Sequence, residues 1–393
     1  MSRFSTRRGR PSRDLLQTLF TACRRPLRRG VSAAKADYYV KSYFSVGFAL
    51  TLIGHFLLGV SSLRELTVVL HENRRLGRLT GLAEISKAQL PKLLHERPSE
   101  LWAPLLAHLL KRVPAAEVPA AVRVLDTTFL TMGLRLFSRQ HSDIKCTAHT
   151  AGYKAGVVWS HQQAAPVKLV CRAGQSNDAQ YLSELLPQEE TISEAIYLFD
   201  RGFRKYAFWD KLIQRGAGFI TRAWRQLHFE VIETRLLDPA HPTIVSDQIG
   251  YAGGKRHRMT HPLRRIVLRD KGKETIFLTS DLEQPAWDIA ELYRCRWQIE
   301  IFFRWLKRVL GCRKSLAMSL QATIHTLSAA LATYLLLVIF ARHELPHQDV
   351  DGLVGLKKAL LILRHRLAET PGKSLRRCLG FYEALLAARP RPP

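Results

Sequence analysis

The chain has 393 residues, and 60 Lys and Arg against 33 Asp and Glu give it a formal net charge of +27 at pH 7. Charged residues at 24% and hydrophobic residues at 47% are ordinary globular values, so a wholly disordered or fibrous chain is excluded. The length indicates two or three domains, and the excess of positive charge indicates a polyanionic partner, either nucleic acid or an anionic membrane surface.

The positive charge is concentrated in three windows of the chain. Residues 1–30, 253–274 and 294–314 carry net charges of +8, +6 and +6, which together account for 20 of the 27 charges. Charge that served only to keep the chain soluble would be spread more evenly. We therefore interpret these windows as surfaces that face a phosphate backbone.

Two stretches without charged residues, 42–63 and 321–341, are long enough to span a membrane. Both contain a histidine and several hydroxyl side chains, and the mean hydropathy of the whole chain is only −0.09. Buried helices explain both stretches better than membrane spans do, so we expect no membrane partner.

The cysteines and histidines indicate neither a disulfide framework nor a zinc site. Six cysteines are scattered without a C-x-x-C pair, which favours a reducing compartment. His257 and His261 have no cysteine at the spacing of zinc ligands. No apolar segment follows the N-terminal arginines, so a secretory signal is not indicated and a cytoplasmic protein is expected.

Residues 1–115 have the pattern of a helical domain. From about residue 14 to 113, apolar residues recur at helical spacing, and a further helix is predicted from Pro98 to Leu110. The face of the first helix includes Leu15, Leu16, Leu19 and Phe20.

Residues 116–224 change to a β-β-β-α-β-α-β pattern, which predicts a mixed α/β sheet layer. Short apolar runs at 122–130, 156–159, 167–171, 195–199 and 218–221 predict strands, and helices are predicted at 178–186 and 205–215. The first strand bears Asp126, and Asp200 ends the fourth.

Residues 225–284 read as a β-rich insertion, with alternating runs between turn signals that include Gly253-Gly254. Residues 285–320 return to the sheet layer with a helix, and residues 321–393 are helical and leucine-rich. Leucine faces between Leu353 and Leu367 make dimerisation plausible. The fold class is therefore a multidomain α/β chain whose mixed-sheet domain is interrupted by this insertion and flanked by helical regions.

The helix predicted from Trp287 to about Leu310 has two contrasting faces. At about 100° per residue, one arc is apolar and packs on a core. The other carries Glu300 as the one acid of residues 294–314, and it could simply pair with Arg296 and Arg304 four residues away. The residues that fall within roughly 60° of Tyr293 on this face are Arg296, Trp297, Glu300, Arg304 and Lys307.

The run Tyr293-x2-Arg296-x3-Glu300-x6-Lys307 resembles the Y-(2)-R-(3)-E-(6)-K signature of the insertion sequence 4 family of DDE transposases. Asp126-Thr-Thr on the first strand and Asp200-Arg-Gly-Phe after the fourth resemble the sequence context of the other two acids. The order along the chain is also that of the family, with a β-rich insertion before the glutamate. The close resemblance covers residues 120–314.

This resemblance implies an RNase H-like catalytic core in which Asp126, Asp200 and Glu300 are catalytic and hold Mg²⁺ or Mn²⁺, with two ions per active site. Hard oxygen ligands suit these cations, and a pair of them can activate a nucleophile and stabilise phosphoryl transfer. It also implies cut-and-paste transposition by a homodimer on paired terminal inverted repeats, in the bacterial cytoplasm at the nucleoid. The N-terminal helical region would bind the transposon ends.

The DNA-binding role falls on the cationic face of the same helix. The resemblance implies that Tyr293, Arg296 and Lys307 grip phosphates of double-stranded DNA, and the helix angle alone adds Arg304. We expect Trp297 to pack against the sheet. Some family members flip a base onto an aromatic of the insertion, and the candidates for that role are Trp224, Phe229 and Tyr251.

Other interpretations of the same residues stay open. Asp126 and Asp200 are also common turn and cap residues. The chain could be a non-catalytic or domesticated DNA-binding protein, an RNase H-like host nuclease, or a membrane protein. Inverted repeats that flank the gene would separate a transposase from a host nuclease.

Overall fold

A computed structural model of the chain describes residues 15–113, 121–132, 137–139, 147, 151–174, 176–187, 193–254, 257–344 and 353–368. The chain has a mixed α/β fold, and its contacts divide it into two compact units. One unit combines residues 1–114 with 305–393, and the other is 115–304. The regions predicted as separate N- and C-terminal helical parts thus belong to one unit.

The described helices follow the apolar periodicity of the sequence, and twelve α-helices are defined in this part of the chain. They are α1 (Leu15–Ala33), α2 (Ser45–Leu58), α3 (Leu63–Glu72), α4 (Arg74–Thr80), α5 (Gln89–Glu96), α6 (Ala103–Leu110), α7 (Leu182–Leu185), α8 (Tyr206–Gln214), α9 (Ala286–Arg294), α10 (Trp297–Arg308), α11 (Leu320–Glu344) and α12 (Leu353–Ala368).

The two uncharged stretches form α2 and α11, whose side chains are almost all buried. By length and composition, residues Leu320–His343 could cross a membrane, and 94% of the most apolar window is buried within the structure. The pair α2 and α3 would qualify only as a broken span, because the two helices are bent by 100°. The prediction that both stretches are buried helices is confirmed.

His325 shows how polar groups are accommodated inside the helical unit. Trp102 Nε1 donates to His325 Nδ1 over 2.8 Å, and His325 Nε2 lies 2.8 Å from the carbonyl oxygen of Arg97, which only a donating N–H can satisfy. The buried ring is therefore the neutral Nε2–H tautomer. Burial lowers the pKa of His325 to about 4.

The second unit is built on one ten-stranded sheet. The strands are β1 (Val122–Thr131), β2 (Gly152–Ser160), β3 (Ala165–Ala173), β4 (Ile196–Phe199), β5 (Gly218–Arg222), β6 (Phe229–Thr234), β7 (Ile244–Gly254), β8 (His257–Arg258), β9 (Leu263–Asp270) and β10 (Lys273–Thr279). Their order is β3-β2-β1-β4-β5-β10-β9-β7-β6, and β8 pairs with β7. Strands β1, β4 and β5 are parallel, and all other neighbouring pairs are antiparallel.

The strands of the predicted insertion continue this sheet beyond β5. Gly253 and Gly254, expected at a turn, are the last two residues of β7, the longest strand described. They pair with Arg258 and His257 of the antiparallel β8, so the chain reverses direction directly after them. The glycines of β7 permit close strand approach: a Cβ on Gly250 would clash with the carbonyl oxygen of Glu230, and Gly253 has φ +105°. Sequence patterns assign glycine to turns, so this strand was missed.

Helices cover the two faces of the sheet around β1 and β4. One face forms a core with α7 and α8, whose members include Leu125, Tyr197, Phe199, Trp209 and Phe219. The opposite face meets α9 and α10, where the rings of Trp159 and Phe302 lie 5.2 Å apart.

The single long helix predicted from Trp287 to Leu310 is wrong, because α9 and α10 are separate helices. Between them, the N–H groups of Cys295, Arg296 and Gln298 donate to carbonyls three residues earlier. Such a tightened turn advances about 120° per residue, so the angles that a continuous α-helix would give no longer hold across it. Apolar periodicity continues through the turn, and for that reason the sequence did not reveal it.

Replacing His325 with glutamine tests the buried histidine. Because the unfolded chain takes up a proton near pH 6.5 and the folded chain only near pH 4, the free energy of unfolding of the wild type falls as pH drops from 6.5 towards 4. His325 contributes up to about 3 kcal/mol of that fall. Urea unfolding across this range should show a shallower pH dependence for His325→Gln. The exposed-site variant His95→Gln serves as control, and an unchanged slope in His325→Gln would contradict the assignment.

Candidate active site

Asp126 and Asp200 lie side by side because of the register of two parallel strands. Leu125 of β1 pairs with Phe199, the last residue of β4, so Asp126 is the next residue of β1 and Asp200 is the first residue after β4. Leu125 and Phe199 point into the core with α7 and α8, and side chains alternate along a strand. The two aspartates therefore share the opposite face.

Both aspartates are held by the same local bond. The N–H of Thr127 donates to Asp126 Oδ1 over 2.7 Å, and the N–H of Arg201 donates to Asp200 Oδ1 over 2.8 Å. Each carboxylate keeps its second oxygen free of this bond.

Helix α10 brings Glu300 to the same face. Its apolar side is anchored by Ile299 and Phe302, which are both buried. Its first turn is held by Gln298, whose Oε1 accepts from Trp159 Nε1 over 3.3 Å and lies 2.8 Å from His161 Nδ1. With these neighbours fixed, Glu300 is directed towards Asp126.

Arg296 connects two of the three carboxylates. Its guanidinium nitrogens lie 2.5 Å from Glu300 Oε1 and 3.5 Å from Asp126 Oδ2. The side chain is only 12% exposed, and its Nε is buried without a hydrogen-bond partner among the described residues. The ion pair between Arg296 and Glu300 that helix spacing predicts is present. Arg296 also contacts Asp126 of β1, which helix spacing does not predict.

Asp126, Asp200 and Glu300 form a loose cluster, in which burial dominates the electrostatics of Asp126. Burial raises the pKa of Asp126 to about 6, and the negative charges of Glu300 and Asp200 act in the same direction. The Thr127 N–H and the Arg296 guanidinium oppose the rise without cancelling it. Each of the two neighbouring acids adds less to the rise than burial does.

Tyr293 lies beneath Asp200 instead of on an exposed cationic face. It is buried, its ring packs 5.2 Å from that of Phe277, and its hydroxyl donates to the carbonyl oxygen of Phe199 over 3.4 Å. Burial raises the pKa of Tyr293 above its usual range. The tightened turn between α9 and α10 accounts for the difference from the helix-angle prediction.

Arg304 and Trp297 form a pair at the surface. The Arg304 guanidinium lies 5.6 Å from the centroid of the Trp297 ring, and Trp297 is 50% exposed. The expectation that Trp297 packs against the sheet is therefore wrong. Lys307 is partly buried in the last turn of α10, beyond the boundary between the two units.

Each aromatic candidate of the insertion has an arginine over its ring. Arg201, directly after Asp200, stacks 3.7 Å from the centroid of Trp224, which is 46% exposed. The corresponding pairs for the other two are Arg258 with Tyr251 and Arg265 with Phe229. Only the arginine over Trp224, which is Arg201, directly follows one of the three acids, Asp200.

One acidic residue near the cluster was not recognised from the sequence. Asp178 was considered only as the start of a helix, yet its Oδ1 accepts from the Thr127 hydroxyl over 2.8 Å. Its position next to the cap residue Asn177 suggested a local role, and no spacing connects it with Thr127 along the chain. His261, considered as a zinc ligand, lies 2.8 Å from Asp210 instead.

The acids fit divalent cations by donor type. Carboxylate oxygens are the ligands that Mg²⁺ and Mn²⁺ prefer. In the part of the chain that the structure describes, no three His, Cys, Asp or Glu side chains are close enough together to hold a metal ion. Arg296 supplies the positive charge between Asp126 and Glu300 in this arrangement.

Comparison with known proteins places the cluster in a family context. The family model described as the transposase DDE domain matches residues 119–336, more than half of the chain. The transposase y4zB of Sinorhizobium fredii is 32% identical over 61% of this chain and 66% of its own length. The transposase for insertion sequence element IS5377 of Geobacillus stearothermophilus is 26% identical over 66% of this chain and 69% of its own.

Among solved structures, a cryo-electron microscopy structure of a piggyBac transposase synaptic complex with hairpin DNA aligns with 99% of this chain and 85% of its own. The TM-score is 0.47 and the sequence identity is 13%. The two relatives of known sequence are each matched over about two thirds of their length.

Replacing Arg296 with methionine tests the electrostatic account. Removal of the guanidinium leaves two carboxylates without their partner, so the metal-free protein should lose about 2–3 kcal/mol of stability at pH 8. The loss should be smaller at pH 5, because Asp126, with a pKa of about 6, is then mostly protonated. Urea unfolding at both pH values measures this. Arg294→Met, which removes an arginine that is 69% exposed, should change little, and an equal loss at both pH values for Arg296→Met would contradict the account.

Proposed function

The chain belongs to the DDE transposase family, and on this premise we propose that it is a DNA transposase of the insertion sequence 4 type. It would bind the terminal inverted repeats of its element and catalyse metal-dependent strand cleavage and strand transfer. The observation that carries this proposal lies within the matched residues: Arg296 contacts both Asp126 and Glu300, and Asp200 directly follows β4, the strand paired with the one that bears Asp126.

An RNase H-like core is the finer fold that we propose for residues 116–224 and 285–320. The first five strands support it, because they lie in the order β3-β2-β1-β4-β5, with β1, β4 and β5 parallel and β2 antiparallel. In this arrangement, Asp126 lies in the middle of β1 and Asp200 directly follows the neighbouring parallel strand β4.

The three acids would hold two Mg²⁺ or Mn²⁺ ions. Such ions, when bound, neutralise charge on the phosphoryl group and activate the attacking hydroxyl. The chain itself supplies the oxygen ligands, buries Asp126, and anchors Glu300 on a helix that Trp159 and His161 hold in place. Arg296 reduces repulsion between the acids and offers positive charge beside the scissile phosphate.

The four predicted DNA-binding residues divide into two groups. Arg304 and Lys307 would contact phosphates of the transposon end, since both lie on the cationic side of α10. Tyr293 and Arg296 are buried against the acid-bearing elements, so we propose that they act first by positioning Asp200 and Glu300. Trp224 would present its exposed ring to a displaced base near Asp200.

The remaining regions would recognise and pair the DNA ends. We propose that the helices of residues 1–115 bind the inverted repeats, that 225–284 contacts flanking DNA, and that residues 321–393 support a homodimer on paired ends. The basic windows support DNA contact for the first two regions. Such a protein would work at the bacterial nucleoid.

A non-catalytic, domesticated DNA-binding protein and an RNase H-like host nuclease are the competing functions. The presence of all three acids in one cluster favours catalysis over the first. Inverted repeats next to the gene, cleaved at their ends by the purified protein, would favour a transposase over the second.

Replacing Glu300 with glutamine tests catalysis. The amide is a poor ligand for a divalent cation, so cleavage of end DNA in Mg²⁺ or Mn²⁺ should fall below detection while binding to the same DNA persists. Gel-shift and cleavage assays on one preparation measure both properties. Glu283→Gln, at an exposed glutamate, should cleave normally. Normal cleavage by Glu300→Gln would refute the assignment of the site.

Deleting residues 1–13 tests the arginine-rich arm, which lies outside the described residues. The segment contains five arginines, and each phosphate contact contributes about 0.9 to the slope of log K against log salt concentration. The deletion should weaken DNA binding and flatten that slope, as measured by fluorescence anisotropy at several salt concentrations. An unaltered slope would refute a DNA-tracking role for the arm.

A further inference from the structure

We infer that Asp178 is a positioning residue that holds the chain segments bearing Asp126 and Asp200 from the opposite face of the sheet. The inference rests on the proposed function, because it gives Asp178 a role in presenting the two catalytic aspartates. It joins three observations: a hydrogen bond to Thr127, an ion pair with Lys154, and close packing on Gly202.

The first two contacts tie Asp178 to strands β1 and β2. Asp178 Oδ1 accepts from the Thr127 hydroxyl over 2.8 Å, and the Lys154 ammonium forms an ion pair with the same oxygen. The Asp178 side chain is 28% exposed and that of Lys154 is 21% exposed, so both charges are largely removed from water. A charge-assisted bond in such a setting is stronger than one at an exposed surface.

The third contact ties Asp178 to the segment after β4. Gly202 lies two residues beyond Asp200, in the 3₁₀ turn Arg201–Phe203. A Cβ at Gly202 would clash with Asp178 Oδ2, so the carboxylate packs directly on the glycine backbone. One side chain therefore touches the residue after the first aspartate and the turn that follows the second.

Asp178 is itself fixed in place. It begins a 3₁₀ turn that is capped by Asn177, whose Oδ1 accepts from the Ala179 N–H over 3.0 Å. Gln180 completes a capping box by accepting from the Asn177 N–H over 3.2 Å. The Tyr181 hydroxyl donates to the carbonyl oxygen of Lys154 over 2.8 Å, which joins the end of the turn to β2.

The geometry indicates that Asp178 positions the segments that carry Asp126 and Asp200 and does not itself bind the metal ions. Side chains alternate along β1, so Thr127 and its partner Asp178 lie on the face opposite to Asp126. Asp178 thus acts on the backbone that carries the aspartates.

The test compares metal binding with local backbone stability in the full chain. Variants Asp178→Ala and Thr127→Val remove the bond from either side, and Thr127→Ser retains the hydroxyl. Free Mn²⁺ in titrations is measured by electron paramagnetic resonance. Because they lose the hydrogen bond between Thr127 and Asp178, Asp178→Ala and Thr127→Val should bind Mn²⁺ roughly tenfold more weakly than the wild type. Thr127→Ser should bind Mn²⁺ about as tightly as the wild type. Asp270→Asn, at an exposed aspartate, serves as control.

Hydrogen exchange of the metal-free protein shows whether the ties hold the backbone. Amides of residues 126–131 and 200–204 should exchange faster in Asp178→Ala and Thr127→Val than in the wild type, with the helical unit unchanged as evidence of folding. Cleavage of end DNA by Thr127→Val should recover at high Mn²⁺ concentration. Recovery separates weakened metal binding from general damage.

The outcomes separate the two levels of the argument. If Asp126→Asn binds Mn²⁺ as tightly as the wild type does, the proposed function is overturned, and the role of Asp178 with it. If Asp126→Asn weakens Mn²⁺ binding but neither Asp178→Ala nor Thr127→Val does, only the role of Asp178 is overturned. Faster exchange without weaker Mn²⁺ binding would also overturn it, since Asp178 would then be only structural.

Discussion

The parallel pairing of β1 with β4 is the constraint on which the candidate site depends. Its register sets Leu125 beside Phe199, and both residues enter the core on one face of the sheet. The next residue on each strand must then face the other side, which places two acids next to each other. A slip of one residue would bury Asp126 in the apolar core and expose Leu125, so the core that stabilises the sheet also enforces the position of the acids.

Bringing three carboxylates together has an electrostatic cost that the surrounding residues reduce without abolishing. Arg296 bridges Asp126 and Glu300, the backbone N–H groups of the following residues bind Asp126 and Asp200, and the pKa of Asp126 is still raised to about 6. The acids are supported by a buried tyrosine below β4 and by a helix anchored on Trp159.

Much of the fold could be predicted from periodicity. The strands of residues 122–222, the helical segment that begins at Asp178, and the buried helices α2 and α11 follow the patterns of apolar and polar residues. Strand β7 and the break between α9 and α10 could not be predicted. Glycines in a strand resemble a turn, and a tightened turn between two helices leaves the apolar pattern intact. Strand β7 and the break between the two helices both depend on how closely other segments of the chain approach them.

The sequence by itself determined the identity and order of the three acids, the cationic character of the helix around Glu300, and the DDE transposase family, because these are properties of residue type and spacing. Only the tertiary structure decided that Tyr293 is buried, that Trp297 is exposed, that Arg296 joins acids from a strand and a helix, and that Asp178 contacts the residue after Asp126. Those contacts join residues about 50 to 170 positions apart in the chain. Local patterns carry no information on such pairs, because strand pairing and helix docking alone set which distant side chains meet.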